Sequence, residues 1–114
     1  VLRYIQSFKE KNLALIVNIT WFVKAEKRTQ FIAELSSKLP VTKAYDGCHW
    51  LYLADNADSR EDRVEAISMW ESREKYDAYL TFREESGELG EFEEKYYTAD
   101  PQWKYMPMLM DFNK

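Results

Sequence analysis

The sequence predicts a single small α+β domain, and three observations support this prediction. The chain has 114 residues, enough for one domain that buries roughly two-thirds of the surface its unfolded chain exposes. Its content of 46% apolar and 32% charged residues is typical of a globular protein rather than a disordered one. Strand-like runs and helical stretches follow the order β-α-β-β-α-α-β. This order is the split βαβ, or ferredoxin-like, arrangement with one additional helix before the last strand, built on a four-stranded antiparallel sheet.

The first strand is predicted over residues 13–23, after an N-terminal arm formed by residues 1–12, so that the domain itself covers 13–114. The run is apolar and β-branched, which favours a strand that is buried on both faces. Strand alternation places on one face Leu13, Leu15, Val17, Ile19 and Trp21, and on the other Ala14, Ile16, Asn18, Thr20 and Phe22. We expect the helices to cover the second face and leave the first one bare.

The next elements follow from helical periodicity and turn residues. Residues 24–39 carry an apolar stripe of helical spacing, and Pro40 is expected to end that helix. Asp46-Gly47 signals a turn into a second strand at 48–54. A third strand is predicted at 63–70, and we expect it to form an antiparallel hairpin with the second.

The last third of the chain contains two helices and one strand. Ser72 is a suitable N-cap for a second helix at 73–85, and a shorter third helix follows it. Pro101 is expected to close the third helix, and residues 103–110 are predicted as the last strand.

Composition narrows the classes of function. The formal charge of −4 disfavours broad binding to a nucleic acid backbone. A single cysteine, Cys48, excludes an intrachain disulfide and fits a reducing, cytoplasmic environment. One histidine and one cysteine cannot build a zinc site of the usual kind within one chain. The sequence has no apolar run near 18 residues and no signal-peptide pattern, so we expect no membrane association.

Aromatic residues make up 16% of the chain, which indicates a well-filled core, an aromatic-lined cavity or a dimer interface. The sheet face that contains Val17 and Ile19 is too apolar to be left in water. A second copy of the same sheet is the simplest cover, because most soluble oligomers are symmetric homodimers. The sequence therefore predicts a homodimer.

Three motifs occur in order along the chain. The first runs from Ile67 to Leu80 and contains a Trp at the end of the third strand followed by an aromatic-rich helix. The others are Asp46-Gly47-Cys48, which opens the second strand, and Val23-Lys24-Ala25-Glu26, followed by Phe31 on the first helix. Together they span residues 13–110 and resemble the antibiotic biosynthesis monooxygenase family. The resemblance implies a dimeric α/β barrel in which two sheets stack.

For activity, the resemblance implies oxidation of a phenol or hydroquinone by O₂, without a metal, flavin or other cofactor. The substrate anion itself would transfer an electron to O₂. Family members of this kind use an Asn on the first strand, matched by Asn18, a Trp that ends the third strand, matched by Trp70, and a Tyr six residues later, matched by Tyr76. A further position, usually Asn, is Ala66 here, so one polar contact to the substrate is missing.

We assign candidate catalytic roles to four residues. The amide of Asn18 would face a ligand oxygen or O₂, the indole N–H of Trp70 would donate to a substrate carbonyl, and Tyr76 would position the substrate. His49, the one side chain that ordinarily titrates near neutrality, would act as general base. We expect Trp70 and Tyr76 to lie close together, with Asn18 facing them. The candidate substrate-binding residues are Thr20, Phe22, Ala66, Ser68, Tyr79 and Leu80.

Structural roles remain open for the same residues. Asn18 can form a local hydrogen bond, Trp70 can be a core residue, and His49 can face solvent at a strand edge. The chain can accordingly be a small-ligand-binding or regulatory dimer that performs no chemistry. A haem-binding or haem-degrading relative is a further alternative, although such members use a histidine on the second helix as iron ligand, and residues 73–85 contain none.

Overall fold

The structure of the protein is a computed structural model that describes residues 13–55, 58 and 61–113. The predicted arm at 1–12 lies outside the described residues. The elements in chain order are β1 (Leu15–Val23), a 3₁₀ turn (Ala25–Lys27), α1 (Arg28–Ala44), β2 (Cys48–Ala54), β3 (Arg63–Trp70), α2 (Arg73–Ser86), α3 (Glu88–Tyr96) and β4 (Tyr97–Pro107). The four strands form one antiparallel sheet in the order β2-β3-β1-β4. The predicted ferredoxin-like α+β fold is confirmed. No helix among the described residues is long and apolar enough to cross a membrane.

The pairing of β1 with β3 determines which face of the sheet the helices cover. Leu15 lies opposite Trp70, and Val17 lies opposite Ser68. Cross-strand partners point to the same face, and Trp70 packs against the α2 residue Tyr76. Leu15 and Val17 are therefore buried under the helices. The prediction that this face would be bare is wrong, because β1 is apolar on both faces and alternation alone does not show which one is covered.

α1 continues through Pro40 to Ala44, so the prediction that Pro40 ends the helix is also wrong. A proline inside a helix removes the hydrogen bond to the carbonyl four residues earlier, which is that of Ser36. Both Ser36 and Pro40 are exposed, so water can bind this carbonyl. The extra turn buries Thr42, which contributes to the site described below.

β4 begins at Tyr97, directly after α3, rather than at residue 103. Pro101 therefore lies inside a strand and does not close the third helix. β4 is at the edge of the sheet, and its pairing with β1 is irregular between Thr20 and Phe22. Proline is tolerated at edges and irregularities of this kind because no ladder hydrogen bond is lost there.

Two aromatic clusters fill the space between the sheet and the helices. In the first, Phe31 of α1 makes edge contacts with Trp21 at 5.7 Å and Tyr96 at 5.3 Å between ring centroids. In the second, Trp70 lies 5.1 Å from Tyr76 and 5.0 Å from Tyr79. Both clusters combine strand residues with helix residues, so they fix the helices against the sheet.

The turn between α1 and β2 depends on Gly47, which has a φ of 96°. A Cβ atom there would lie 2.6 Å from Cβ of Lys75 on α2. We expect Gly47→Ala to lower the free energy of unfolding by about 1–3 kcal/mol, since backbone strain and the close contact act together. Urea denaturation measures this change.

Gly90→Ala is the matched control. Gly90 lies inside α3, and no atom lies within 4 Å of the place that an added methyl group would take. This substitution should stabilise the protein by about 0.5–1 kcal/mol because alanine favours the helix. An unchanged unfolding midpoint for Gly47→Ala would contradict the role assigned to the turn.

Candidate functional site

A cavity of about 90 Å³ lies between the helix-covered face of the sheet and the three helices. Most of its wall is apolar and aromatic, with contributions from Ile19, Phe31, Leu35 and Phe92. The polar side chains of the wall gather at two places. One group lies on the sheet side, and the other lies where α1, α2 and α3 meet.

On the sheet side, two indole N–H groups donate to two hydroxyl groups. Nε1 of Trp70 donates to Oγ of Ser68 at 3.0 Å, and Nε1 of Trp103 donates to Oη of Tyr76 at 2.9 Å. An indole N–H can only donate, so both hydroxyl oxygens act as acceptors in these bonds. Neither hydroxyl has an acceptor for its own hydrogen among the described residues, and both side chains line the cavity. Each can therefore donate a hydrogen bond to a ligand.

A third pair of the same kind involves Tyr97, whose hydroxyl is hydrogen-bonded by Trp21. Both residues also line the cavity. Burial raises the pKa of Tyr97 to about 12, although the bond from Trp21 opposes this effect. The hydroxyl therefore stays protonated over the whole physiological range.

Burial likewise raises the pKa of Tyr76 far above its ordinary value near 10, and the hydrogen bond from Trp103 offsets only part of this increase. The neutral phenol is the stable form because the cavity desolvates the charged one. Tyr76 is therefore suited to donate a hydrogen bond and unsuited to accept a proton as a base.

At the helix side, the guanidinium of Arg83 binds four polar groups. Its Nε donates to Oη of Tyr79 at 2.9 Å, and its Nη2 donates to Oγ1 of Thr42 and to the carbonyl of Lys38, both at 3.0 Å. Its Nη1 lies 2.8 Å from Oε2 of Glu88, which begins α3. Arg83 is buried, and all five side chains line the cavity.

Six of the predicted site residues lie together around this cavity: Ala66, Ser68, Trp70, Tyr76, Tyr79 and Leu80. The close approach expected for Trp70 and Tyr76 is present. The N–H of Trp70, however, is bound to Ser68. In this structure the Trp70 N–H is therefore not free for the predicted donation to a substrate carbonyl.

Asn18 lies on the opposite face of the sheet, so the expectation that it faces Trp70 and Tyr76 is wrong. Its Nδ2 donates to the backbone carbonyl of Ala66 at 3.1 Å. Thr20 and Phe22 share this face, which no helix of the described residues covers, because they follow Asn18 with the strand period of two. Thr20 donates to Glu65 at 3.2 Å. None of the three lines the cavity, because the register of β1 turns their side chains away from the helices.

His49 is exposed at the start of β2 and does not line the cavity. Within one chain it is therefore not placed to take a proton from a ligand bound there. Among the described residues, no group of three or more His, Cys, Asp or Glu side chains is arranged to hold a metal ion.

Sequence reasoning did not identify Thr42, Arg83, Glu88 or Trp103 as site residues. Arg83 carried the clearest signal, since it occupies the same helical stripe as Tyr76 and Tyr79, where a charged residue requires partners. Thr42 was not identified because it follows Pro40, where the helix was expected to end. Trp103 was placed correctly on the last strand, but only the sheet register brings it to Tyr76.

The raised pKa values predict how stability changes at alkaline pH. In the unfolded chain a tyrosine ionises near pH 10, whereas Tyr97 ionises near 12 and Tyr76 resists ionisation further. The contribution of these two tyrosines to the free energy of unfolding should therefore be constant below about pH 10 and fall above it, by up to about 1.4 kcal/mol per pH unit for each. Tyr76→Phe should show a smaller fall, whereas the exposed Tyr52→Phe should behave like the wild type. Urea titrations between pH 8 and 11.5 measure these slopes, and equal slopes for all three proteins would contradict the assignment.

Three solved structures share the fold at low sequence identity. A protein of unknown function from Nitrosomonas europaea is 13% identical, with a TM-score of 0.72 over 89% of this chain and 94% of that one. A conserved protein from Methanosarcina mazei is 17% identical, with a TM-score of 0.69 over 88% and 97%. An antibiotic biosynthesis monooxygenase is 14% identical, with a TM-score of 0.72 over 84% and 99%. At these identities the similarity establishes the fold alone.

The sequence itself gives a more specific result. No curated protein matches the chain at a significant level. Residues 14–85, more than half of the chain, match the family model for antibiotic biosynthesis monooxygenases. The matched segment runs from β1 to α2 and includes Ser68, Trp70 and Tyr76. The chain belongs to the antibiotic biosynthesis monooxygenase family.

Proposed function

We propose that the protein is a homodimeric, cofactor-independent monooxygenase that oxidises a phenol or hydroquinone with O₂. The observation that carries this proposal is the pair of hydroxyl donors on the sheet side of the cavity. Ser68 and Tyr76 each accept an indole N–H, from Trp70 and Trp103, and keep their own hydrogens for a ligand. Membership of the family supports the class of reaction.

A substrate oxygen placed at these donors would be stabilised as the phenolate. Hydrogen bonds to the charged form of an acid lower its pKa, and fixed donors act more strongly in an apolar cavity than in water. Tyr76 remains neutral because burial raises its pKa, so it does not compete with the substrate for the negative charge. The cavity thereby favours the form of the substrate that gives up an electron most readily.

The reaction then needs only the substrate and O₂. The phenolate transfers one electron to O₂, and the resulting radical pair combines to form a C–O bond at a ring carbon. The peroxide anion takes a proton from solvent, which replaces the one lost by the phenol. The ring hydroperoxide then loses water, formed from its terminal OH and the hydrogen of the same ring carbon, which breaks the O–O bond and leaves a quinone. One oxygen atom enters the product and the other leaves as water, so a phenol and O₂ give a quinone and water. The apolar wall around Phe31 and Phe92 would shield the radical pair from solvent.

The proposed reaction uses no side chain as general base, whereas the sequence predicted this role for His49. The carboxylate that lines the cavity, Glu88, is bound by Arg83 and Lys38, and His49 is exposed elsewhere. The acidity of the bound substrate therefore governs the pH dependence. Turnover should increase with pH until the bound phenol is fully ionised.

Oxygen uptake by the chelator-treated protein tests the proposal, with methylhydroquinone as the probe and the rate without protein subtracted. We expect turnover without added flavin or metal. Tyr76→Phe should lower kcat by roughly 10²-fold, the effect of removing one donor to a developing oxyanion. His49→Ala is the control and should keep both the rate and the pH profile of the wild type. Absence of uptake with any electron-rich phenol or hydroquinone would favour a ligand-binding dimer that performs no chemistry.

The face of the sheet that the described helices leave open supports the dimeric part of the proposal. The register aligns several apolar side chains on this face: Ile16, Phe22, Ile67, Met69 and Met106. Four of these side chains, Ile16, Ile67, Met69 and Met106, adjoin at one end of the face, whereas Thr20, Glu65 and Lys104 make the rest of it more polar. An apolar patch favours a protein partner over water, and a second copy of the same face is the commonest solution in soluble proteins. The partner would then cover Asn18 as well, which gives this residue a place in the interface rather than in the cavity.

A charge on this face should separate the subunits. We expect Ile67→Lys to give a folded monomer, because the dimer would bury an unpaired ion. Val41→Lys is the matched control, since Val41 is an exposed apolar residue on α1, on the helix side, and it should remain dimeric. Charges at Val17 would instead unfold the protein, because Val17 is fully buried in the core. Sedimentation velocity distinguishes these outcomes, and a monomeric wild type at micromolar concentration would exclude the dimer.

A further inference from the structure

The helix side of the cavity contains more positive than negative charge. Nη1 of Arg83 lies 2.8 Å from Oε2 of Glu88, and Nζ of Lys38 lies 3.4 Å from Oε1 of the same carboxylate. Two cations thus share one anion, and all three side chains line the cavity. Among the described residues, no second carboxylate lines this part of the wall.

The hydrogen bonds of Arg83 within the described part of the chain also leave one of its donors without an acceptor. Four of the five N–H groups of Arg83 have acceptors among the described residues, and the second N–H of Nη1 has none. The Arg83 side chain is only 9% exposed, so water compensates little for this donor. Lys38 is anchored to Glu88 through one oxygen and remains partly exposed at the rim. A buried or half-buried cation is stabilised by an anion of good geometry.

We propose that this cluster binds a carboxylate carried by the ligand, so that the substrate class is a phenolic acid. The carboxylate would lie at Lys38 and Arg83, with the aromatic ring in the apolar part of the cavity. The phenol oxygen would then reach the donors Ser68 and Tyr76 on the sheet side. The identification of the ligand as a substrate rests on the proposed function, whereas the carboxylate site rests on the charges alone.

The volume of the cavity and the charges of its wall both limit which ligands can bind. A cavity of about 90 Å³ is smaller than the roughly 150 Å³ cavity that holds benzene, so side chains of the wall must move to admit even a single substituted ring, and a fused polycycle would need a much larger movement. Glu88 shares the two cations with the bound carboxylate and repels it. Affinity for the acid is therefore set by the balance between Lys38, which attracts it, and Glu88, which opposes it.

Binding of 4-hydroxybenzoate and of its neutral analogue 4-hydroxybenzamide tests the proposal by calorimetry, with no turnover required. The wild type should bind the acid about 10-fold more tightly than the amide, the effect of one charge-assisted hydrogen bond. Lys38→Met should weaken this preference, because only Arg83 then attracts the acid, and it should leave the affinity for the amide unchanged. Lys43→Met is the control, because Lys43 is an exposed lysine of the same helix outside the cavity, and it should keep the preference.

Glu88→Gln should act in the opposite direction and increase the affinity for the acid, because it removes the competing charge while keeping the shape of the side chain. A purely structural role for the cluster would not produce opposite effects from the two substitutions. The acid preference should also weaken as salt is raised, which tests the idea even if Lys38→Met fails to fold.

Equal affinities of the wild type for the two probes would overturn the proposal. So would a preference that Lys38→Met leaves undiminished, or the absence of binding by either probe at millimolar concentration. Retained preference for the acid together with no oxygen uptake would instead contradict the proposed oxidation and leave the carboxylate site supported.

Discussion

The antiparallel register of β1 against β3 is the constraint on which the rest of the structure depends. It places Leu15 opposite Trp70 and Val17 opposite Ser68, so that the same face carries the core and the polar wall of the cavity. A slip of one residue would exchange the faces of β1 and turn Asn18 toward the helices. The backbone carbonyl of Ala66, which accepts from the side chain of Asn18, adds a specific contact that holds this register.

The aromatic richness of the chain has a second consequence beyond core packing. Trp70 and Trp103 each direct an N–H at a hydroxyl oxygen, and this fixes how that hydroxyl can interact with a ligand. Burial raises the pKa of Tyr76 and keeps it protonated at the same time. The side chains on the sheet side thus combine rigidity with hydrogen-bond donation, and they provide no base. The proposed oxidation therefore needs a substrate that ionises by itself once its oxygen is bound.

The fold was largely predictable from the sequence, whereas the faces of β1 were not. The Asp46-Gly47 turn and the clear alternation of β3 define local structure without reference to the rest of the chain, and the predicted ranges 48–54 and 63–70 agree with the structure. β1 has two apolar faces, and only its long-range pairing distinguishes them. The predicted role of Asn18 relied on a family position, and that of His49 on its being the single histidine of the chain. The contact between Trp103 and Tyr76, by contrast, depends on the pairing of β4 with β1.

The contacts of Arg83 on the helix side of the site depend on the continuation of α1 past Pro40. Lys38 and Thr42 both contact Arg83, and they lie on either side of Pro40. A helix that ended at residue 39 would remove Thr42 from the network and leave Arg83 with a buried N–H and no acceptor, at a cost of about 1–3 kcal/mol. Because Pro40 and Ser36 face solvent, the chain can continue the helix with one unpaired carbonyl in water. The unpaired group is thus placed on the exposed side of α1, and the hydrogen bonds on its buried side complete the charged part of the cavity.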